Sequence, residues 1–176
     1  ARELDIVLTS RPTGKGKERA PLCGVPHHRL ESYLSRLVEK GHKVAICDQL
    51  EAPQKGRKII RREVVRVVTP GTLFEISGKE RPLAALFPEK DRIGVAFLEL
   101  ATGEFLIAET TTADLPGLFS KIQPRELVLR AGDQFGTQIP ASAFRTERPT
   151  REFAVGTAFE ALVQSFGQLT IEPLKM

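Results

Sequence analysis

Lys55-Gly56-Arg57-Lys58-Ile59-Ile60-Arg61-Arg62-Glu63-Val64-Val65-Arg66-Val67-Val68-Thr69-Pro70-Gly71-Thr72 is the stretch from which the organisation of the chain can be read. It sets six cations against one carboxylate, runs into a β-branched segment and stops at a Thr-Pro-Gly turn. β-Branched runs closed by Pro-Gly read as a strand followed by a turn. Val64 to Val68 therefore predict a core strand, with Arg62 at its opening and a border at residues 69 to 72.

The border separates two differently charged parts. Residues 1 to 72 hold 15 Lys and Arg against 8 Asp and Glu, and residues 73 to 176 hold 11 against 14. A basic first part beside a mildly acidic second is the footprint of a chain of which only one part meets a polyanion. A solvated surface with chance clustering is the alternative. With 176 residues, 41% of them apolar and 27% charged, the composition is that of a globular protein of one large or two small domains, and two is the expectation. No apolar run approaches the roughly 18 residues of a membrane span, and no signal segment opens the sequence, so a cytoplasmic protein is expected. Two cysteines, Cys23 and Cys47, are too few for a disulfide framework and are expected to be buried, reduced thiols.

In the first part, Ala1 to Leu8 read as the last turn of a helix entering a strand at Asp5 to Ser10. Arg11 to Ala20 read as a mobile basic loop, and its Gly14-Lys15-Gly16-Lys17 lacks the Gly-x-x-x-x-Gly-Lys-Ser/Thr spacing by which amides wrap a phosphate. Leu30, Tyr33, Leu34, Leu37 and Val38 fall on one helical face, with Pro26 suited to the helix start and Gly41 to the position after its end. Lys43 to Gln49 predict a mostly buried strand. Cys23, His27, His42 and Cys47 have the residue types of a zinc site without compact ligand pairs in turns, so no metal is assigned. His27 and His28 have no nucleophile or carboxylate placed beside them by spacing, and no catalytic residue is assigned.

Pro21-Leu22-Cys23-Gly24-Val25-Pro26-His27-His28, Tyr33-Leu34, Leu37-Val38, Val44-Ala45-Ile46-Cys47-Asp48-Gln49 and Arg62 to Thr72, in this order and spacing, resemble the N-terminal region of the bacterial MutS family of DNA mismatch-recognition proteins. Pro82-Leu83-Ala84-Ala85-Leu86 and Gly94 to Phe105 resemble the start of that family's connector domain. The resemblance is close over roughly residues 1 to 130 and looser beyond. It implies an α/β fold of two mixed α/β domains: a partial mismatch-recognition domain over 1–74, then a ribonuclease-H-like connector over 75–176. The Thr-Pro-Gly turn would be the hinge region between them.

The family presses an aromatic wedge beside a mispair from the minor groove and kinks the duplex, exchanging lost stacking for contacts to bent DNA. Its Gly-Asp-Phe-Tyr-Glu wedge motif is not in this sequence, and Phe97-Leu98-Glu99 reads as a connector strand with Phe97 in a core. The expectation is a chain that begins inside a domain and is part of a longer polypeptide. Carried over by position, the DNA-facing candidates are Arg11, Leu22, Cys23, Gly24 and Arg62; charge alone adds Lys15, Lys17, Lys58 and Arg61. Such cations position a duplex through its phosphates. The implied partners are mispaired or looped duplex DNA, MutL, and further copies through domains outside these residues, in a bacterial nucleoid-associated setting. ATP and Mg²⁺ belong to the full-length family protein, and no cofactor or ATPase motif is assigned to these residues.

In the second part, Leu83 to Phe87, Ile93 to Leu100 and Glu104 to Thr110 predict three strands, the last two joined by a tight turn at Ala101-Thr102-Gly103. A helix over Ala113 to Gln123, a strand over Glu126 to Arg130, a possible strand near Ser142 to Thr146 and a helix over Thr157 to Phe166 follow, the last with Ala158, Phe159, Leu162, Val163 and Phe166 on one face. Glu99, Glu104, Asp114 and Glu126 are the carboxylates a metal-dependent nuclease of this architecture would need, and that is the least favoured reading. A protein-interaction module binding MutL or other MutS domains, without its own DNA binding, is the main alternative to a DNA-binding fragment.

Overall fold

A computed structural model describes residues 1–13, 18–51, 60–73 and 82–166. The chain divides into two compact units, Ala1–Arg81 and Pro82–Met176. The boundary expected after residue 74 lies outside the described residues.

The first unit opens with a 3₁₀ turn, Arg2–Leu4, closed by Asp5 at φ 53°. This left-handed residue breaks the extended path, so the strand expected from Asp5 starts later, as β1 (Thr9–Pro12). Val7 and Leu8 remain exposed. β1 pairs antiparallel with β2 (Arg19–Leu22), so both flanks of the expected mobile loop are paired strands. A 3₁₀ turn at His27–Arg29 follows Pro26 and leads into helix α1 (Leu30–Glu39). Lys40 ends the helix and Gly41 takes φ 84°. Gly41 N–H donates to the Val38 carbonyl at 2.9 Å and His42 N–H to that of Leu37 at 3.1 Å, which closes the helix with a paired left-handed cap.

β3 (Val44–Gln49) and β4 (Arg62–Val68) form a second antiparallel ribbon. The register shifts between Ile46 and Cys47, so Ile46 faces Arg66, Cys47 faces Val64, and Val65 is the extra residue of a bulge. Alternation then points Val44, Ile46, Arg66 and Val68 towards α1, and Val64, Val65 and Val67 away from it. The side chains agree: Val44 and Ile46 pack on Leu34, Val38, Val68 and Leu73, whereas Val64, Val65 and Val67 are 53 to 55% exposed. The expected core strand is a ribbon with one covered face. The same geometry overturns the mostly buried reading of β3, and both Cys23 and Cys47 are exposed. The turn at Thr69 to Thr72 is a buried corner of this unit, with Thr69 N–H on Thr72 Oγ1 at 2.8 Å, Thr72 N–H on the Thr69 carbonyl at 3.1 Å, and Leu73 in the core.

The second unit is a five-stranded sheet in the order β7-β6-β5-β8-β9, built from β5 (Leu83–Glu89), β6 (Arg92–Glu99), β7 (Glu104–Thr111), β8 (Glu126–Arg130) and β9 (Phe144–Arg148). β5, β6 and β7 are antiparallel neighbours, and β8 and β9 run parallel to β5. The β6–β7 turn closes at Gly103, φ 74°. Helix α2 (Leu115–Ile122) makes the crossover from β7 to β8. Ala84, Leu86, Ile93, Val95, Leu127 and Leu129 share one sheet face and bury against Leu115 and Phe119, with Phe135, Ile139 and Ala143 closing the side. Phe97 lies on this face beyond Val95 but is only half-buried, because β7 beside it is an edge strand. On the other face Phe87 stacks on Phe153 at 6.4 Å and Phe105 meets Phe166 of helix α3 (Val155–Phe166) at 6.0 Å. The apolar stripe of α3 stays largely open, Phe159 and Phe166 included.

Candidate nucleic-acid interface

The β1–β2 hairpin is fixed by its own polar side chains. Thr9 Oγ1 donates to the Leu22 carbonyl at 2.8 Å, and Arg19 Nε and Nη2 donate to the Ser10 hydroxyl and carbonyl, both at 2.8 Å. Arg11, across from Ala20, is exposed, and its side chain has no hydrogen-bond or ion-pair partner among the described residues. Where β2 ends, Leu22, Cys23 and Gly24 are all exposed, and the space a Cβ on Gly24 would occupy is open. An apolar side chain beside small residues on an accessible turn suits close approach to a shallow groove wall.

Arg62 opens β4 opposite Gln49 and is likewise exposed and without a side-chain partner among the described residues. Arg61 differs: its Nη2 donates to Glu63 Oε1, so its charge is already paired within the chain. The candidates thus fall on two separate ribbons, Arg11 with Leu22 to Gly24 on one and Arg61 with Arg62 at the end of the other. Lys15, Lys17 and Lys58 lie outside the described residues.

Several cations of this basic unit are structural. Arg36 Nη2 donates to the Leu4 carbonyl at 2.7 Å, Lys40 Nζ donates to the Glu3 carbonyl, and Arg66 lies 3.5 Å from Glu31. Glu3 Oε2 sits 3.4 Å from His42 Nε2 and 3.7 Å from Lys40 Nζ. The His42 hydrogen bond, then the Lys40 charge, hold the Glu3 carboxyl below the usual carboxylate range. Arg19 is the cation that sequence reading missed. In the register it faces Pro12, and its side chain turns to Ser10, on the face of the ribbon opposite to Arg11.

Glu99 and Glu104 stand opposite each other across β6 and β7, but the four nuclease-type carboxylates do not converge on one site. Glu126 is level with Leu83 and Leu98 on one sheet face, which puts Glu99 on the other. Glu126 accepts from the Thr146 hydroxyl at 2.5 Å, Glu99 accepts the Ala101 N–H at 3.0 Å, and Asp114 accepts the Thr111 hydroxyl at 2.8 Å. A metal-assisted cleavage site needs such groups on one side, within reach of one ion.

A family model described as MutS domain I matches residues 1–77, and one described as MutS domain II matches residues 82–176. The DNA mismatch repair protein MutS of Aquifex pyrophilus is 44% identical over 134 residues, covering 76% of this chain and 15% of its own length. That of Dehalococcoides mccartyi (strain CBDB1) is 38% identical over 170 residues, 94% of this chain and 20% of its own. That of Methanosarcina acetivorans is 37% identical over 196 aligned residues, 98% of this chain and 22% of its own. The chain therefore spans about a fifth of the length of these relatives. With domain I followed by domain II along its residues, the chain belongs to the MutS family.

Proposed function

We propose that the chain is the DNA-facing and relay part of a mismatch repair protein: the first unit holds mispaired duplex DNA by phosphate and minor-groove contacts, and the second passes the bound state on. The observation that carries this reading is the run of domain I and domain II matches along one chain. Arg11 and Arg62, exposed and without a side-chain partner among the described residues, and the open Leu22-Cys23-Gly24 turn support it. Two free guanidinium groups on separate ribbons offer phosphate contacts that set the position of a duplex without reading its sequence. In this reading the chain hydrolyses no ATP, and the ATP and Mg²⁺ chemistry of the family lies outside domains I and II.

Without a Phe-Tyr-Glu wedge among its 176 residues, the chain should bind duplex weakly, with steep salt dependence and little preference for a mispair. Each phosphate contact contributes a slope of about 0.9 in log affinity against log salt. Fluorescence anisotropy with matched and mispaired duplexes across a salt series tests this, and salt-independent binding would refute the phosphate contacts. A second reading has its own observation: Phe105, Leu106 and Ile107 of edge strand β7 are all exposed. Such exposed apolar side chains suit a protein partner, MutL or another MutS domain, and on that reading charge reversal at Arg61 and Arg62 leaves duplex binding unchanged while Ile107→Asp weakens partner binding.

A further inference from the structure

The second unit has a groove of about 640 Å³ between the C-terminal end of α2, the segment before β9, and β9 itself. Phe119 and Ile139, both buried core residues, form part of its lining, with Pro116, Pro124 and Pro140 beside them. Arg125 and Arg145 also line it. Arg145 is level with Leu127, and Arg125 precedes Leu127 by two residues, so both arginines stand on one sheet face. No carboxylate is among the lining residues.

Three of the other four arginines of this unit are answered by carboxylates, and Arg151, outside the groove in the 3₁₀ turn Thr150–Phe153, is exposed without a side-chain partner among the described residues. Arg92, Arg130 and Arg148 are each paired with a carboxylate, to Glu109, Asp133 and Glu152. Arg125 and Arg145 are exposed, and neither side chain has a hydrogen-bond or ion-pair partner among the described residues. Two adjacent, unanswered guanidinium forks over an apolar floor match a carboxylate flanked by apolar groups. β9 is the outermost strand, and no strand among the described residues pairs with its far edge. An extended chain can add to such an edge and alternate its side chains between solvent and the groove.

We infer that this groove is a docking site for an extended acidic peptide, with its carboxylates held by Arg125 and Arg145 and its apolar side chains against the lining around Phe119 and Ile139. A peptide fits better than a nucleic acid. Over residues 82–166 the unit carries 8 Lys and Arg against 11 Asp and Glu, a field that disfavours a long polyanion, while two local cations suffice for a short acidic segment.

The test uses the 176-residue chain, labelled for amide NMR, and the blocked peptide Leu-Glu-Leu-Glu-Leu as probe. Amide shifts should concentrate at residues 119–125 and 136–145. Joint substitution Arg125→Gln and Arg145→Gln should weaken binding at least tenfold, as should exchange of both glutamates for glutamine in the peptide. Both arginines are exposed, so the fold should persist, and an unchanged amide spectrum away from the groove checks that. Joint Arg→Lys substitution should keep part of the affinity. Absence of shifts at millimolar peptide, equal binding of the glutamine peptide, or stronger shifts of the same amides by inorganic phosphate or a 12-base-pair duplex would each overturn the peptide site.

Discussion

The two units meet the same problem, covering β-sheet with few residues, and solve it differently. Among the described residues, the first carries two separate two-stranded ribbons and a core of Leu34, Val38, Val68 and Leu73 under one helix, and the second a single five-stranded sheet with eleven buried core residues. Burying an aliphatic side chain is worth about 1.5 to 3 kcal/mol, so the difference in core size is a difference in local stability. The β3–β4 ribbon, covered on one face, leaves Arg62 and three valines in solvent, and the β1–β2 ribbon, exposed along nearly its whole length, leaves Arg11 there. The second unit holds Arg92, Arg130 and Arg148 in ion pairs and leaves Arg125, Arg145 and Arg151 without a side-chain partner among the described residues. A thin core and an open charged surface are two consequences of one architecture.

The strongest way to break this comparison is in the larger core. Leu127→Ala should cost about 2 to 5 kcal/mol, read as lost hydrogen-exchange protection across the second unit with the first unchanged. Equal loss in both units would mean that they open as one. Within β4 the contrast is sharper: Val68→Ala should cost about 2 kcal/mol and Val67→Ala less than about 0.5 kcal/mol by urea denaturation. Similar costs would contradict the one-faced burial of β4. Next come the left-handed glycines, Gly41 closing α1 and Gly103 turning β6 into β7. Alanine at either should cost about 1 kcal/mol in the unit that contains it. Smallest is a pH effect at Glu3. A lowered folded-state pKa means that this carboxylate stabilises the fold above its unfolded pKa and that the contribution is lost as pH falls through the lower folded value. Glu3→Gln should flatten stability against pH in that acidic window, and an unaltered profile would show that the His42 and Lys40 contacts carry nothing.

How much of this was legible in the sequence follows the same division. In the second unit the strand, turn and helix order could be read directly, because β5, β6 and β8 alternate or run apolar between Pro, Gly and Asp punctuation and both of their faces are largely covered. In the first unit α1 was readable from Leu30, Leu34 and Val38 and its Gly41 cap, but burial was not. Val64-Val65-Arg66-Val67-Val68 has the composition of a core strand, and only the pairing with β3 reveals the bulge at Val65 that turns Val64 outward beside Val65 and Val67. The Thr69 to Thr72 turn has the residues of a linker and the packing of a core corner, since Leu73 behind it anchors the chain. At the candidate site, Arg11 and Arg62 could be named from position and charge. The Arg61 to Glu63 contact needed coordinates, and so did the groove at Arg125 and Arg145, whose members come from three separate segments.

The central claim is that the open cations of the first unit, and not those of the second, meet DNA. Titrating the labelled chain with a short mispaired duplex at low salt tests it most directly. The account predicts amide shifts at Arg11, Leu22 to Gly24 and Arg62 that fade as salt rises, with a slope reduced by about 1 in Arg62→Ala. Shifts confined to the second unit, or shifts in the first that ignore both salt and the Arg62 substitution, would contradict it.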